Sequence, residues 1–272
     1  MGNQHCRIKS TFTTAVKKIS GKHTWPSLCR IRPEFSSAPL RFAGTLSTVS
    51  LPYDSISAEY LVAHEQFRGM MLNESFACIG GASAVRRGNY QFALLPELAS
   101  EEAIVECCDA LRKFVSKFPA ASHPVAVFVA AFRGPLCENE SDFESRLWDQ
   151  LQGMHDSHGQ RAWFSADDSL ADRDDELGFI FDDRNFFVVG MHPAASRWSR
   201  RYAWPTLVFN ALSHAEHATR LGQFDRMRDR IRSRDQRLQG SLNPTVSEPQ
   251  VAQFSGRDVG PDWQCPLRPR LD

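Results

Sequence analysis

Residues 177–191 read LGFIFDDRNFFVVGM. Two apolar runs, 177–181 and 186–191, flank the polar tetrapeptide Asp182-Asp183-Arg184-Asn185. β-Branched and aromatic residues on both sides of an acid- and amide-rich turn predict a β-hairpin. Upstream, 125–132 (VAVFVAAF) is a continuous apolar run and predicts a buried central strand. Tyr90–Leu95 predicts a further strand, and 206–210 a short one. Helical periodicity occupies the intervals. In 57–72, Tyr60, Leu61, His64, Phe67, Met70 and Met71 fall near one face. Residues 99–117 carry acids at their start and Lys/Arg at their end, which complements a helix dipole. Residues 140–157 turn Phe143, Leu147, Leu151 and Met154 inward, and a basic helix covers 213–236. Gly80-Gly81 reads as a turn. From 239 onward the chain is polar and broken by Pro and Gly. It still carries Trp263 and Cys265-Pro266, so it is expected to wrap back on the body. Helices mixed with adjacent hairpin strands predict an α+β fold: a mixed or largely antiparallel sheet with flanking helices in a single domain.

The 272 residues are 42% apolar, enough for a core, and no run of about 18 apolar residues predicts a membrane span. The 32 basic and 32 acidic residues cancel, which argues against a general nucleic-acid binder. The balance is uneven along the chain. Residues 1–52 hold eight of the basic residues and one acid, Glu34. This composition predicts a disordered basic extension or a targeting-like leader, with the domain at 53–272. An odd count of seven Cys, with no CxxC, predicts reduced thiols in a cytoplasmic protein, with Cys107 and Cys108 in the core.

The densest chemistry lies at 190–201, GMHPAASRWSRR. His192 sits where a strand leaves the sheet, and Pro193 fixes the turn after it. Arg197, Arg200 and Arg201 follow within two helical turns. A neutral imidazole is a good ligand for iron, copper or zinc. Clustered guanidiniums clamp carboxylates or phosphates. Together they suit a heme, with His on iron and Arg on the propionates. The plain alternative is a satisfied histidine beside a solvated basic face. His155/His158 and His214/His217 are spaced three apart but have no recognisable third zinc ligand. His64 reads as a core or interface residue. GxSxG, HExxH, GxxxxGK[ST] and GxGxxG after a strand are all missing. The acid-rich stretch 138–183 reads mainly as solvated surface.

Several ordered blocks carry a resemblance. They include Phe76-Ala77-Cys78 with Gly81 and Gly88, Phe186–Gly190 running into His192-Pro193, Ser196-Arg197, Arg200-Arg201 and Phe209-Asn210. Further on come Arg234-Asp235, Gln239-Gly240-Ser241, Asn243-Pro244, Ser247-Glu248, Ser255-Gly256-Arg257 and Trp263 with Cys265-Pro266. Over about 57–267 the chain resembles the YqcI/YcgG family. The resemblance implies a heme-dependent N-hydroxylase, a monooxygenase acting on the guanidine of arginine or an arginine-derived amine in specialised metabolism. It would use heme b and either dioxygen with an external reductant or peroxide.

On that reading His192 is the iron ligand, with Cys78 its competitor, because a thiolate favours O–O cleavage more strongly. Arg197, Arg200 or Arg201 would pair with propionates or a substrate carboxylate, Glu248 or the acids at 174–176 would receive the guanidinium, and Asn210 would orient it. The implied partners are a small guanidine or amine substrate and an electron donor. Neither nucleic acid nor membrane is implied, and a homodimer is left open. The chain departs from the family pattern at Ala77, where Pro is usual. It departs again in the short span between Asn243-Pro244 and Ser247-Glu248, and at 211–216. Two rivals share the fold: a heme-binding sensor or carrier, and a non-catalytic partner-binding protein with the arginines of 220–237 as its docking face.

Overall fold

The hairpin forms with a tighter turn than its composition suggests. Strand β3 (Phe179–Phe181) pairs antiparallel with β4 (Arg184–Met191), with Phe181 opposite Arg184. Only Asp182 and Asp183 turn the chain, at φ 47° and 57°. Two successive positive φ values match the twist of paired strands, and Asp tolerates this region better than most residues.

The structure is a computed structural model that describes residues 57–123, 125–158, 178–211, 219, 221–243, 250–260 and 262–268. The expected extension 1–52 lies outside the described residues, as do the acids at 174–176 and the side chains of His158, His214, His217 and Glu248. All described residues belong to one unit, Phe42–Asp272.

Before the hairpin the order is α1 (Ala58–Leu72), α2 (Ile79–Arg87), β1 (Tyr90–Glu97), α3 (Glu101–Lys117), β2 (Val127–Gly134) and α4 (Glu140–His158). After it come β5 (Thr206–Ala211) and α5 (Phe224–Gln239). The strands form one sheet in the order β1-β2-β5-β4-β3. β1 and β2 are parallel, joined by the α3 crossover, and the other pairs are antiparallel. The fold is α+β, as expected.

Two expectations need correction. Gly80 and Gly81 do not turn the chain; they lie in the first turn of α2, where Cys78 caps the helix and Gly88 closes it at φ 70°. The basic helix is described as helical over Phe224–Gln239 rather than from 213, and 212–218 fall outside the described residues.

Strand alternation divides the core in two. Phe128, Ala130 and Phe132 of β2 face α3 and α4, with Phe186, Val188, Leu207 and Phe209. Val127, Val129 and Ala131 face α1 and α2, with Met191 and Val208. Cys107 and Cys108 are buried in the first layer, and the described cysteines are all free thiols. The C-terminal segment wraps back as expected. Trp263 Nε1 donates to Glu144 at 3.2 Å, and the Arg268 amide donates to Gln152 at 2.8 Å.

Candidate functional site

β4 delivers two consecutive residues to opposite sides of the sheet. Met191, the last strand residue, faces the α1/α2 layer. His192 follows it and stacks on Phe143 of α4, which belongs to the α3/α4 layer. The imidazole is 0% exposed. Its backbone is pinned, because its amide donates to Arg200 O at 3.0 Å. Neither ring nitrogen has a hydrogen-bond partner among the described residues. Burial disfavours the charged form and lowers its pKa to about 4. A neutral imidazole with both nitrogens orphaned is therefore sealed into the interior.

The three arginines after it serve the chain itself. Arg197 Nη2 pairs with Asp235 of α5 and donates to Ser241 O at 2.9 Å, while Nη1 donates to Leu242 O at 3.3 Å. Arg200 donates to Gly190 O, Phe254 O and Gln253 O at 3.0–3.2 Å. Its burial lowers its pKa to about 10. Arg201 Nε donates to Ala195 O at 2.6 Å, and its guanidinium lies 4.2 Å from the Trp198 ring centroid. These contacts tie the turn at 192–201 to α5 and to the segment at 250–254. They use donors that a propionate would need.

Cys78 lies elsewhere. Its side chain and those of Phe76, Met71, Val189, Met191, Ser199 and Asn210 line an apolar cavity of about 50 Å³ on the α1/α2 face of the sheet. Tyr90, Val127, Val129 and Val208 complete its floor. The thiol sits at the N-cap of α2, where the Gly81 amide donates to Sγ at 3.2 Å. A Cβ at Gly81 would come within 3.1 Å of Met71 Sδ and 3.2 Å of Cys78 Sγ, so glycine keeps this corner open. Burial raises the thiol's pKa; the amides of Gly81 and Gly80 and the Arg200 charge act against it.

The fold thus brings Cys78 and Asn210 together around one cavity and leaves His192 across the sheet. Asn210 Nδ2 donates to Phe187 O at 3.3 Å and Val208 O at 3.2 Å. Ser199 and Tyr90 are wall residues that the sequence reading did not single out. Ser199 donates to Asp235 at 3.0 Å, and no spacing rule ties it to Cys78. The Tyr90 hydroxyl accepts from Arg68 at 3.0 Å and contacts His64 Nε2 at 2.8 Å. His64 is a buried core residue, and burial lowers its pKa to about 4. His64 and Arg68 are one helical turn apart on α1, the only sequence signal for this contact. Among the described residues there is no group of three or more His, Cys, Asp or Glu placed to hold a metal ion.

Comparison with known proteins finds one family match. The model of the YqcI/YcgG family covers residues 67–268, from α1 through the returning C-terminal segment. No curated protein and no solved structure matches the chain.

Proposed function

The chain belongs to the YqcI/YcgG family, and we propose that it is a heme-dependent oxygenase that N-hydroxylates the guanidine of arginine or of an arginine-derived amine, with Cys78 rather than His192 as the iron ligand. The observation that carries this reading is the Cys78 thiol on the wall of an apolar cavity. A bound iron porphyrin would supply the oxygen activation that no side chain can provide.

The donor set fits such a group. A thiol is an accepted heme ligand, and the Gly81 amide at 3.2 Å would stabilise its deprotonated form. The walls are apolar, and Gly81 leaves space beside the sulfur. His192 fits less well. Its nitrogens have no hydrogen-bond partner among the described residues, but its ring is stacked face-on against Phe143, at 4.2 Å, and the cavity does not include it. Pockets for small molecules and cofactors run to roughly 300–1,000 Å³. The 50 Å³ cavity must therefore widen on binding, which requires wall side chains such as Phe76 and Met71 to swing aside.

Within that site Asn210 would orient the substrate. Its amide nitrogen is committed to two carbonyls, which leaves the amide oxygen as an acceptor for a guanidinium N–H. The apolar walls would exclude bulk water from the reacting nitrogen. Glu248 remains proposed as the carboxylate partner of the guanidinium.

Hemin titration of the purified protein tests the ligand. The reduced CO complex is expected to show a thiolate-type Soret shift that disappears in Cys78→Ser and persists in His192→Leu. Absence of any hemin binding would end the oxygenase reading. Incubation with arginine, reductant and air should then add one oxygen atom by mass. Heme binding with unchanged arginine would favour the sensor or carrier instead.

A further inference from the structure

A second concavity lies between α2 and α5, with a volume of about 640 Å³. Arg86 of α2, Arg234 and Arg237 of α5, and Glu74 and Ser75 line it, with Leu238. Positions 234, 237 and 238 share one face of α5, because residues three and four apart are neighbours on a helix. That face and Arg86 in the last turn of α2 line the same space, so three arginines from two helices border it.

The acids of α5 are engaged elsewhere. Asp225 and Asp229 pair with Arg228, and Asp235 with Arg197. Glu74 is the one acid among the lining residues, so the cleft carries a net positive charge. Arg234 Nη1 is fixed by donation to Phe76 O at 3.3 Å. Arg86 and Arg237 have no ion-pair partner among the described residues. Like charges brought together without a counter-charge destabilise a surface, whereas guanidiniums bordering a concave space are suited to hold an anion through paired donors.

We infer that the α2/α5 cleft is a binding site for a small organic anion, held through a phosphate or carboxylate group by Arg86, Arg234 and Arg237. This inference does not depend on heme. Phe76 joins the two sites, since its carbonyl holds Arg234 and its side chain lines the Cys78 cavity. Occupation of the cleft would therefore be felt at the cavity wall.

The test is calorimetric titration of the hemin-free full chain at low ionic strength, with inorganic phosphate in one arm and citrate in the other. Saturable binding of at least one probe is expected, and the tighter probe identifies the source as phosphate or carboxylate. Arg86→Gln and Arg237→Gln should each raise Kd about tenfold, the scale of one lost charge-assisted contact. Arg237→Lys should lose less. Arg226→Gln, on the same helix but outside the lining, should leave Kd unchanged. Both Gln variants replace exposed side chains, so the melting temperature without ligand should stay at the wild-type value. Failure of both probes to saturate, or equal weakening in Arg226→Gln, would overturn the proposal and leave the arginines as solvated surface.

Discussion

The His192 imidazole lies 4.2 Å from the Phe143 ring, centroid to centroid, with the two planes 17° apart. The pair joins the end of β4 to the first turns of α4. On its polar side the imidazole gains nothing from the described residues, among which neither buried nitrogen has a hydrogen-bond partner. His192→Leu replaces that orphaned polarity with an apolar side chain of similar volume, a change that is near neutral or stabilising when no hydrogen bond is lost. Thermal unfolding at neutral pH is expected to give a melting temperature at or above the wild type. A large fall would reveal a polar partner for the ring.

Two buried neutral histidines, His64 and His192, make the fold acid-sensitive. Each has its folded pKa lowered to about 4 by burial, against an unfolded value of 6.5. The unfolded chain therefore takes up protons first as pH falls. Their stabilising contribution is complete above the unfolded pKa, declines as pH falls below 6.5, and is fully lost once the pH passes below about 4. The limiting slope is about 1.4 kcal/mol per pH unit for each group. Urea unfolding across this window should show the decline, and His192→Leu should make it shallower. An unchanged slope in the variant would assign the acid sensitivity to other groups.

Gly190 admits no side chain. A Cβ there would lie 2.5 Å from Phe143 Cε1, 2.9 Å from Phe254 O and 3.0 Å from Leu147 Cδ1. One of those neighbours is backbone, held by the Gly190 amide at 2.7 Å, so it cannot swing aside. Gly190→Ala should lower stability by roughly 1–3 kcal/mol through overpacking, read as an earlier midpoint in denaturant. Wild-type stability in the variant would mean that β4 and α4 can separate freely.

Glu144 anchors the returning C-terminal segment. Its carboxylate accepts from Arg257 Nε at 2.5 Å, Ser255 Oγ at 3.3 Å and Trp263 Nε1 at 3.2 Å. Glu144→Ala removes all three contacts and leaves the Trp263 and Ser255 donors without this acceptor. A loss of about 2 kcal/mol is expected, the scale of charge-assisted hydrogen bonds at a partly buried site. Limited proteolysis should cut near 255–268 faster in the variant. Equal cleavage rates would show that the remaining contacts, among them Arg268 with Gln152 and the Trp148 and Trp263 rings 6.0 Å apart, hold the segment without Glu144.

Much of the architecture was legible because it rests on local chemistry. The run 125–132 and the hairpin at 177–191 follow from apolar residues and turn residues, and both became strands of one sheet. Ser100 and the acids after it start α3 where the pattern suggested. The Gly80-Gly81 reading failed because glycine is also used where a neighbour approaches closely. At Gly81 that neighbour is Met71 Sδ, which local sequence cannot bring into view.

The position of His192 at a strand exit could be read from residue order, but its burial could not. Alternation along β4 sends Met191 and His192 to opposite layers, and only the packed α4 supplies Phe143 to seal the imidazole. Cys78 and Asn210 are 132 positions apart, so no periodicity connects them. They line one cavity because β5 pairs between β2 and β4 while α2 packs on the same face. Hydrogen-bond propensity and hydrophobic period act over a few residues and therefore leave their mark in the chain itself. Strand order and layer packing depend on contacts between distant segments, and these selected which thiol, amide and arginines share a space.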